Sequence, residues 1–85
     1  MKAKYIVVKF GEMRETMIVF PHTENHIDIG NRFGLRDVIS AGFLTTSTDK
    51  EGEPTIECYG ESVTLGLKSR EKDSQLACTR FSDYQ

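Results

Sequence analysis

Asp37-Val-Ile-Ser-Ala-Gly-Phe-Leu-Thr-Thr-Ser-Thr48 is the stretch whose reading decides the fold, because it is the best candidate for a strand at the centre of a sheet. Side chains alternate between the two faces of a strand. Ile39, Ala41 and Phe43 therefore share one face, while Val38 and Leu44 make the other partly apolar. A strand apolar on both faces is covered on both sides. Gly42 in its middle has no side chain to pack, and marks either a bulge or a place where something approaches the backbone closely.

On the N-terminal side, Tyr5-Ile-Val-Val-Lys-Phe10 and Thr16-Met-Ile-Val-Phe20 are β-branched and aromatic, with turn chemistry at Gly11-Glu12, so they read as a hairpin. A three-residue turn would set Lys9 opposite Glu15 and Val7 opposite Met17. A two-residue turn would set Lys9 against Arg14, which like-charge repulsion disfavours. Both strands are nearly apolar on both faces, and a chain of 85 residues buries only about 60–65% of its unfolded surface. One hairpin face is thus expected under a helix or a second copy, with Tyr5, Val7, Met17 and Val19 as the candidate interface. Pro21 ends the second strand. Thr23 is a candidate N-cap for a short helix carrying His22, His26, Ile29 and Phe33 at helical spacing, and Gly34 is placed to stop it.

On the C-terminal side, Ser47 to Pro54 is a polar loop, followed by the runs Thr55-Ile-Glu-Cys-Tyr59 and Ser62-Val-Thr-Leu-Gly-Leu67. Apolar parity switches between the runs, from Ile56 and Cys58 to Val63, Leu65 and Leu67, and such a slip needs a physical cause. A two-residue hairpin at Gly60-Glu61 would supply it, pairing Cys58 with Val63 and Ile56 with Leu65. A bulge at Gly60 is the alternative. From Ser69 to about Phe81 good helix formers predominate, Ser69 or Ser74 can cap, and Asp73, Leu76, Ala77 and Phe81 outline a narrow stripe. The expected fold is one α+β domain over 1–85, a mainly antiparallel sheet of about five strands in the order β-β-α-β-β-β-α.

Composition narrows function more by exclusion than by assignment. The net charge of −2 provides no overall field for nucleic acid. Lys2, Lys4, Lys9 and Arg14 nevertheless make one end basic, whereas Asp49, Glu51, Glu53, Glu57 and Glu61 make the other acidic. Neither a membrane span of about 20 apolar residues nor a signal core is seen, and two cysteines, Cys58 and Cys78, are too few for a disulfide framework. A soluble protein of a reducing cytoplasm, with no cofactor, is the expectation.

His22 and His26 would project from one helical face as a metal pair, with Glu24, Asp28 or Cys58 as further ligands, but no accompanying motif supports a site. Cys58 with His26 as base would make a nucleophile only if the thiol pKa were lowered, and on the inner face of a strand it reads as apolar filler. Ser62 lacks the second glycine of a nucleophile elbow. The Asp49–Glu57 carboxylates fail the EF-hand order and read as a solvated loop. Lys2, Lys4, Lys9 and Arg14, with Tyr5 and Phe10 interleaved, form a candidate nucleic-acid footprint that Arg32 and Arg36 would extend. The competing reading makes the rings core and the cations guards of an edge strand.

Cys58-Tyr-Gly-Glu-Ser-Val-Thr-Leu-Gly-Leu-Lys-Ser-Arg70, continuing to Asp73-Ser-Gln-Leu76, resembles the C-terminal half of small phage and prophage proteins of unknown function. Val38-Ile-Ser-Ala-Gly-Phe43 adds to the likeness. The resemblance implies a mobile element acting inside a bacterial host, and it carries no catalytic or binding residue with it. Function is expected to be that of a non-enzymatic accessory protein acting by protein–protein binding, as a homodimer or with a host or phage protein. The alternatives are a nucleic-acid-binding module using the N-terminal cations with Arg32 and Arg36, and a small metal protein or enzyme around His22 and His26.

Overall fold

The stretch from Val38 to Thr48 forms an eleven-residue strand inside a four-stranded antiparallel sheet. A computed structural model describes residues 2–12 and 14–82, of the last three of which only the backbone is described. In chain order the elements are β1 (Lys2–Val8), β2 (Thr16–Pro21), α1 (His26–Phe33), a 3-10 turn (Leu35–Asp37), β3 (Val38–Thr48), β4 (Pro54–Tyr59), β5 (Glu61–Ser62), β6 (Leu67–Lys68) and α2 (Glu71–Ser82). The large sheet runs β2-β1-β3-β4, and β5 with β6 makes a separate two-stranded ribbon. The α+β class and the antiparallel sheet are as expected.

Both faces of the middle of the sheet are covered, and there the inner strands are mostly apolar. Tyr5, Ile6 and Val7 are fully buried, and Val8 nearly so. Ile6, Val8, Phe20, Val38 and Ala41 pack with Ile29 of α1 and with Leu65 and Leu67 of the ribbon segment. On the other face Tyr5, Val7, Met17 and Leu44 pack with Leu76 and Ala77 of α2. Each large apolar side chain so buried contributes about 1.5–3 kcal/mol.

The hairpin register is the expected one, with Val7 opposite Met17. The tight turn is not made. The ladder ends at Val8–Thr16, and the Lys9 amide instead donates to Asp37 O at 2.8 Å. Lys9 does not pair with Glu15, because Glu15 turns to Arg70, just before α2, and to Lys72 in its first turn.

The bulge is one turn of pleat away from Gly42. Val7 pairs with Ser40 and Val8 with Val38, which leaves Ile39 as the extra residue. Ile39 therefore joins the α2 side while Val38, Ala41 and Phe43 serve the α1 side, correcting the expected Ile39-Ala41-Phe43 face. Gly42 is the place of close approach. A Cβ there would stand 2.5 Å from Tyr59 O and 3.2 Å from the Tyr5 ring.

The expected Gly60-Glu61 hairpin does not form. β4 pairs with β3, through a loop in which Asp49 Oδ1 accepts the amides of Glu51 and Glu53, and Ser62 pairs with Leu67. Gly60, at φ +79°, swings the chain from the α2 face, where Ile56 and Cys58 pack, to the α1 face, where Leu65 and Leu67 pack. The parity switch is real, but its cause is a change of layer, and Val63 is left 84% exposed. The run 62–67 accordingly divides into β5 and β6 around a turn.

Asn25, not Thr23, precedes the first turn of α1, and Gly34 ends it at φ +93°. α2 starts after Arg70, with Asp73 accepting the Arg70 amide at 3.0 Å as a third-position acidic cap. Ser74 instead meets β4. The side chain of Phe81 lies outside the described residues.

Candidate functional site

Two side-chain clusters concentrate the chemistry, one on each face of the sheet. On the α2 face Tyr5 donates its hydroxyl to Asp73 Oδ2 at 2.6 Å. Arg70 Nε donates to Asp73 Oδ1 at 2.9 Å and its Nη2 to Glu15 Oε1 at 2.7 Å, while Lys72 Nζ reaches Glu15 Oε2 at 3.0 Å. Burial pushes the Tyr5 hydroxyl pKa far up, and the Asp73 carboxylate beside it adds to the shift. Burial also pushes Asp73 up, but the hydrogen bonds from Tyr5 and from the Arg70 amide and side chain prevail and hold it below the usual range. Ser40 Oγ is buried nearby without a hydrogen bond of good geometry, close enough for its dipole to favour the same carboxylate. Tyr5 and Asp73 are sealed from solvent. Such a pair ties strand to helix and meets no substrate.

On the α1 face, strand pairing aligns one row across the whole sheet. Phe20 lies opposite Lys4, Lys4 opposite Phe43, and Phe43 opposite Tyr59, and directly opposed residues share a face. The Phe43 and Tyr59 rings stack at 5.8 Å and 29°. Lys2 Nζ stands 5.4 Å from the Phe43 centroid, and Lys4 Nζ donates to Glu24 O at 2.9 Å. His26 sits edge-on between Phe20 and Phe43. Its Nε2 lies 2.8 Å from Gly42 O. A carbonyl only accepts, so Nε2 carries the proton. Burial lowers the pKa of His26 and favours its neutral ring. A groove of about 380 Å³ adjoins this row, walled by Lys4, His26, Phe43, Glu61, Ser62 and Thr64 among others.

The candidate metal pair is not assembled. His22 is exposed in the turn before α1, His26 is buried and committed to Gly42, and among the described residues no group of three or more histidine, cysteine or carboxylate side chains converges. Burial, with a smaller push from Asp73, raises the Cys58 thiol to about 11, opposite to what a nucleophile needs. Within one copy the side chains of Tyr5, Val7 and Met17 are already buried against α2 and β4, and Val19 is half-buried on β2.

Of the candidate nucleic-acid cations, Lys2 meets the Phe43 ring and Lys4 lies beside it in the ladder with its ammonium on Glu24 O, while Lys9, Arg14, Arg32 and Arg36 are exposed elsewhere, on the 9–15 loop, the last turn of α1 and the 3-10 turn. β1 is an inner strand, so its lysines guard no edge. Tyr5 is core, as one reading held. Sequence reasoning missed Phe43 and Tyr59 because it folded the 55–59 strand back on 62–67 at Gly60-Glu61 instead of pairing it with β3. Continuing the polar 49–53 loop as a β3–β4 hairpin would have set the two rings opposite each other.

Among the described residues no helix is long and apolar enough to cross a membrane. No protein-family model, curated protein or solved structure matches this chain.

Proposed function

We propose that this chain is a non-enzymatic accessory protein, in the phage or mobile-element setting that its sequence resemblance implies, which acts by protein–protein binding and associates with itself through β2. The observation that carries the reading is the difference between the two edges of the sheet. Along β4, α2 closes the edge. Cys58 N–H donates to Ser74 Oγ at 2.9 Å, and the Cys78 thiol lies 3.9 Å from Ile56 O. Along β2, the backbone is paired only with β1, and among the described residues no other backbone group bonds to Thr16–Phe20.

The Lys9 amide donates to Asp37 O, at the end of the 3-10 turn that leads into β3, so it points to the β3 side, and alternation along β1 aims Val8, Ile6 and Lys4 at β2 and turns the backbone groups of Met17 and Val19 outward. Pro21 blunts one end of β2, but no residue from Thr16 to Phe20 is charged or bulged, whereas edges that stay single are normally blunted by charge, Pro, bulges or very short strands. With a two-fold axis normal to the sheet, Met17 of one copy lies opposite Val19 of the other and the pair exchanges two N–H···O=C bonds. A groove of about 690 Å³ beside Val19, Phe20 and Pro21 receives the side chains of the added strand.

Light scattering in low and high salt tests this reading, with Val19→Pro as the variant, since it removes an outward amide and leaves the inner ladder intact. A dimer indifferent to salt that becomes a folded monomer in the variant is expected. A wild-type monomer at the highest attainable concentration would overturn self-association.

A further inference from the structure

We propose that Tyr59, backed by the stacked Phe43 ring with Lys2 and Lys4 beyond it, is a stacking platform for single-stranded nucleic acid. Two rings on the surface of a small domain would ordinarily be expected to turn inward. Here they are held in place from below and from the side. His26 meets Phe43 edge-on at 5.7 Å, and Gly60 lets the ring lie against bare backbone, since a Cβ there would stand 2.9 Å from Phe43 Cδ2. Tyr59 remains 36% exposed. The rings are thus set before any ligand arrives, and a ligand does not have to order them.

The chemistry around the rings selects the class of ligand. A planar group stacks on aromatic faces, and the two lysines on the same sheet face demand negative charge next to it. Lys2 and Lys4 both occupy β1, on the side of Phe43 away from Tyr59. Lys4 is tethered at Glu24 O, so its charge is fixed beside the platform. In the adjoining groove Glu61 offers a carboxylate to the edge of a base, while the Ser62 and Thr64 hydroxyls bond to each other at 3.3 Å and Ser62 Oγ also accepts the Leu65 amide. Stacking rings with adjacent cations are what single-strand binders use, and an open strand exposes base faces that a duplex hides. Lys9, Arg32 and Arg36 take no part.

Fluorescence anisotropy with a labelled oligothymidylate, and with a duplex of equal length, tests the platform. Single strand is expected to bind in low salt and duplex markedly more weakly. Neutralising two phosphates gives a slope of log affinity against log salt of about −1.4, which Lys2→Gln halves to about −0.7. Tyr59→Ala, at a position exposed enough to leave the urea midpoint nearly unchanged, should weaken binding about tenfold or more. Equal affinity for duplex, unaltered binding by Tyr59→Ala, or loss of binding only on charge reversal at Arg32 and Arg36 would each overturn the proposal. So would conversion of a dimer to a monomer by Tyr59→Ala, because the rings would then be a protein contact.

Discussion

The Tyr5 hydroxyl and the Asp73 carboxylate meet at 2.6 Å across 68 positions of sequence, and both side chains are wholly buried. This contact joins the first strand to the last helix. Tyr5→Phe preserves the ring and its packing but removes one donor from a buried carboxylate. A hydrogen bond to a charged group contributes about 1.5–3 kcal/mol. Urea unfolding should show a loss of that size with an unchanged m value, and a loss below about 0.5 kcal/mol, the range of neutral surface substitutions, would mean that Arg70 alone satisfies Asp73.

Stability should fall in two steps as the solution is acidified. Burial depresses the pKa of His26 below its ordinary 6.5, so the unfolded chain takes up a proton that the folded chain resists, and stability begins to fall below that pH. Hydrogen bonds from Arg70 and then Lys72 lower Glu15 from 4.5 to about 2, and Asp73 is lowered in the same sense. Their contribution is complete above pH 4.5 and is lost towards pH 2. Glu15→Gln should flatten the lower step and leave the upper one in place. Urea midpoints collected across the acid range would show whether it does.

Two glycines should prove intolerant of alanine, for different reasons. At Gly42 the added Cβ meets the Tyr59 carbonyl, a backbone atom that cannot swing away, and overpacking of this kind costs about 1–3 kcal/mol. At Gly60 the positive φ adds about 1–2 kcal/mol and the methyl presses on the Phe43 ring. Gly52→Ala, also at positive φ but with open space around it, isolates the conformational part. Thermal melts should rank Gly52→Ala as the mildest of the three.

Cys58 should resist alkylation in the folded protein. Its thiol is half-buried and its pKa is raised to about 11 by burial and then by the Asp73 charge, so little thiolate exists at neutral pH. In a Cys78→Ser background, iodoacetamide modification should be slow in buffer and rise steeply through the urea transition. A rate in buffer equal to that of a small thiol would contradict the burial.

Much of the sheet was legible because its signals are local. β-Branched and aromatic runs marked β2 and β3 at nearly their observed limits and β1 as Tyr5–Phe10 against the observed Lys2–Val8, like-charge repulsion selected the Val7–Met17 register, and Gly34 was readable as a helix stop. Gly42 was readable as a constraint but not as a partner, since the Tyr5 ring and the Tyr59 carbonyl that crowd it lie far away in sequence. The parity switch at Gly60 was visible too. Whether it meant a hairpin or a change of layer depended on which strand β4 would join.

By itself, then, the sequence determined the main strand and helix segments, the stop at Gly34 and the register of the first hairpin, because these follow from backbone sterics and nearest-neighbour side chains. Only the tertiary structure decided that α2, not a second copy, buries Tyr5 and Met17, that Asp73 is a buried ligand of Tyr5 rather than a wet helix residue, and that Phe43 and Tyr59 stand side by side. Those outcomes come from burial and pairing between residues tens of positions apart. Their energies depend on what each side chain meets after folding, and no local pattern records that meeting.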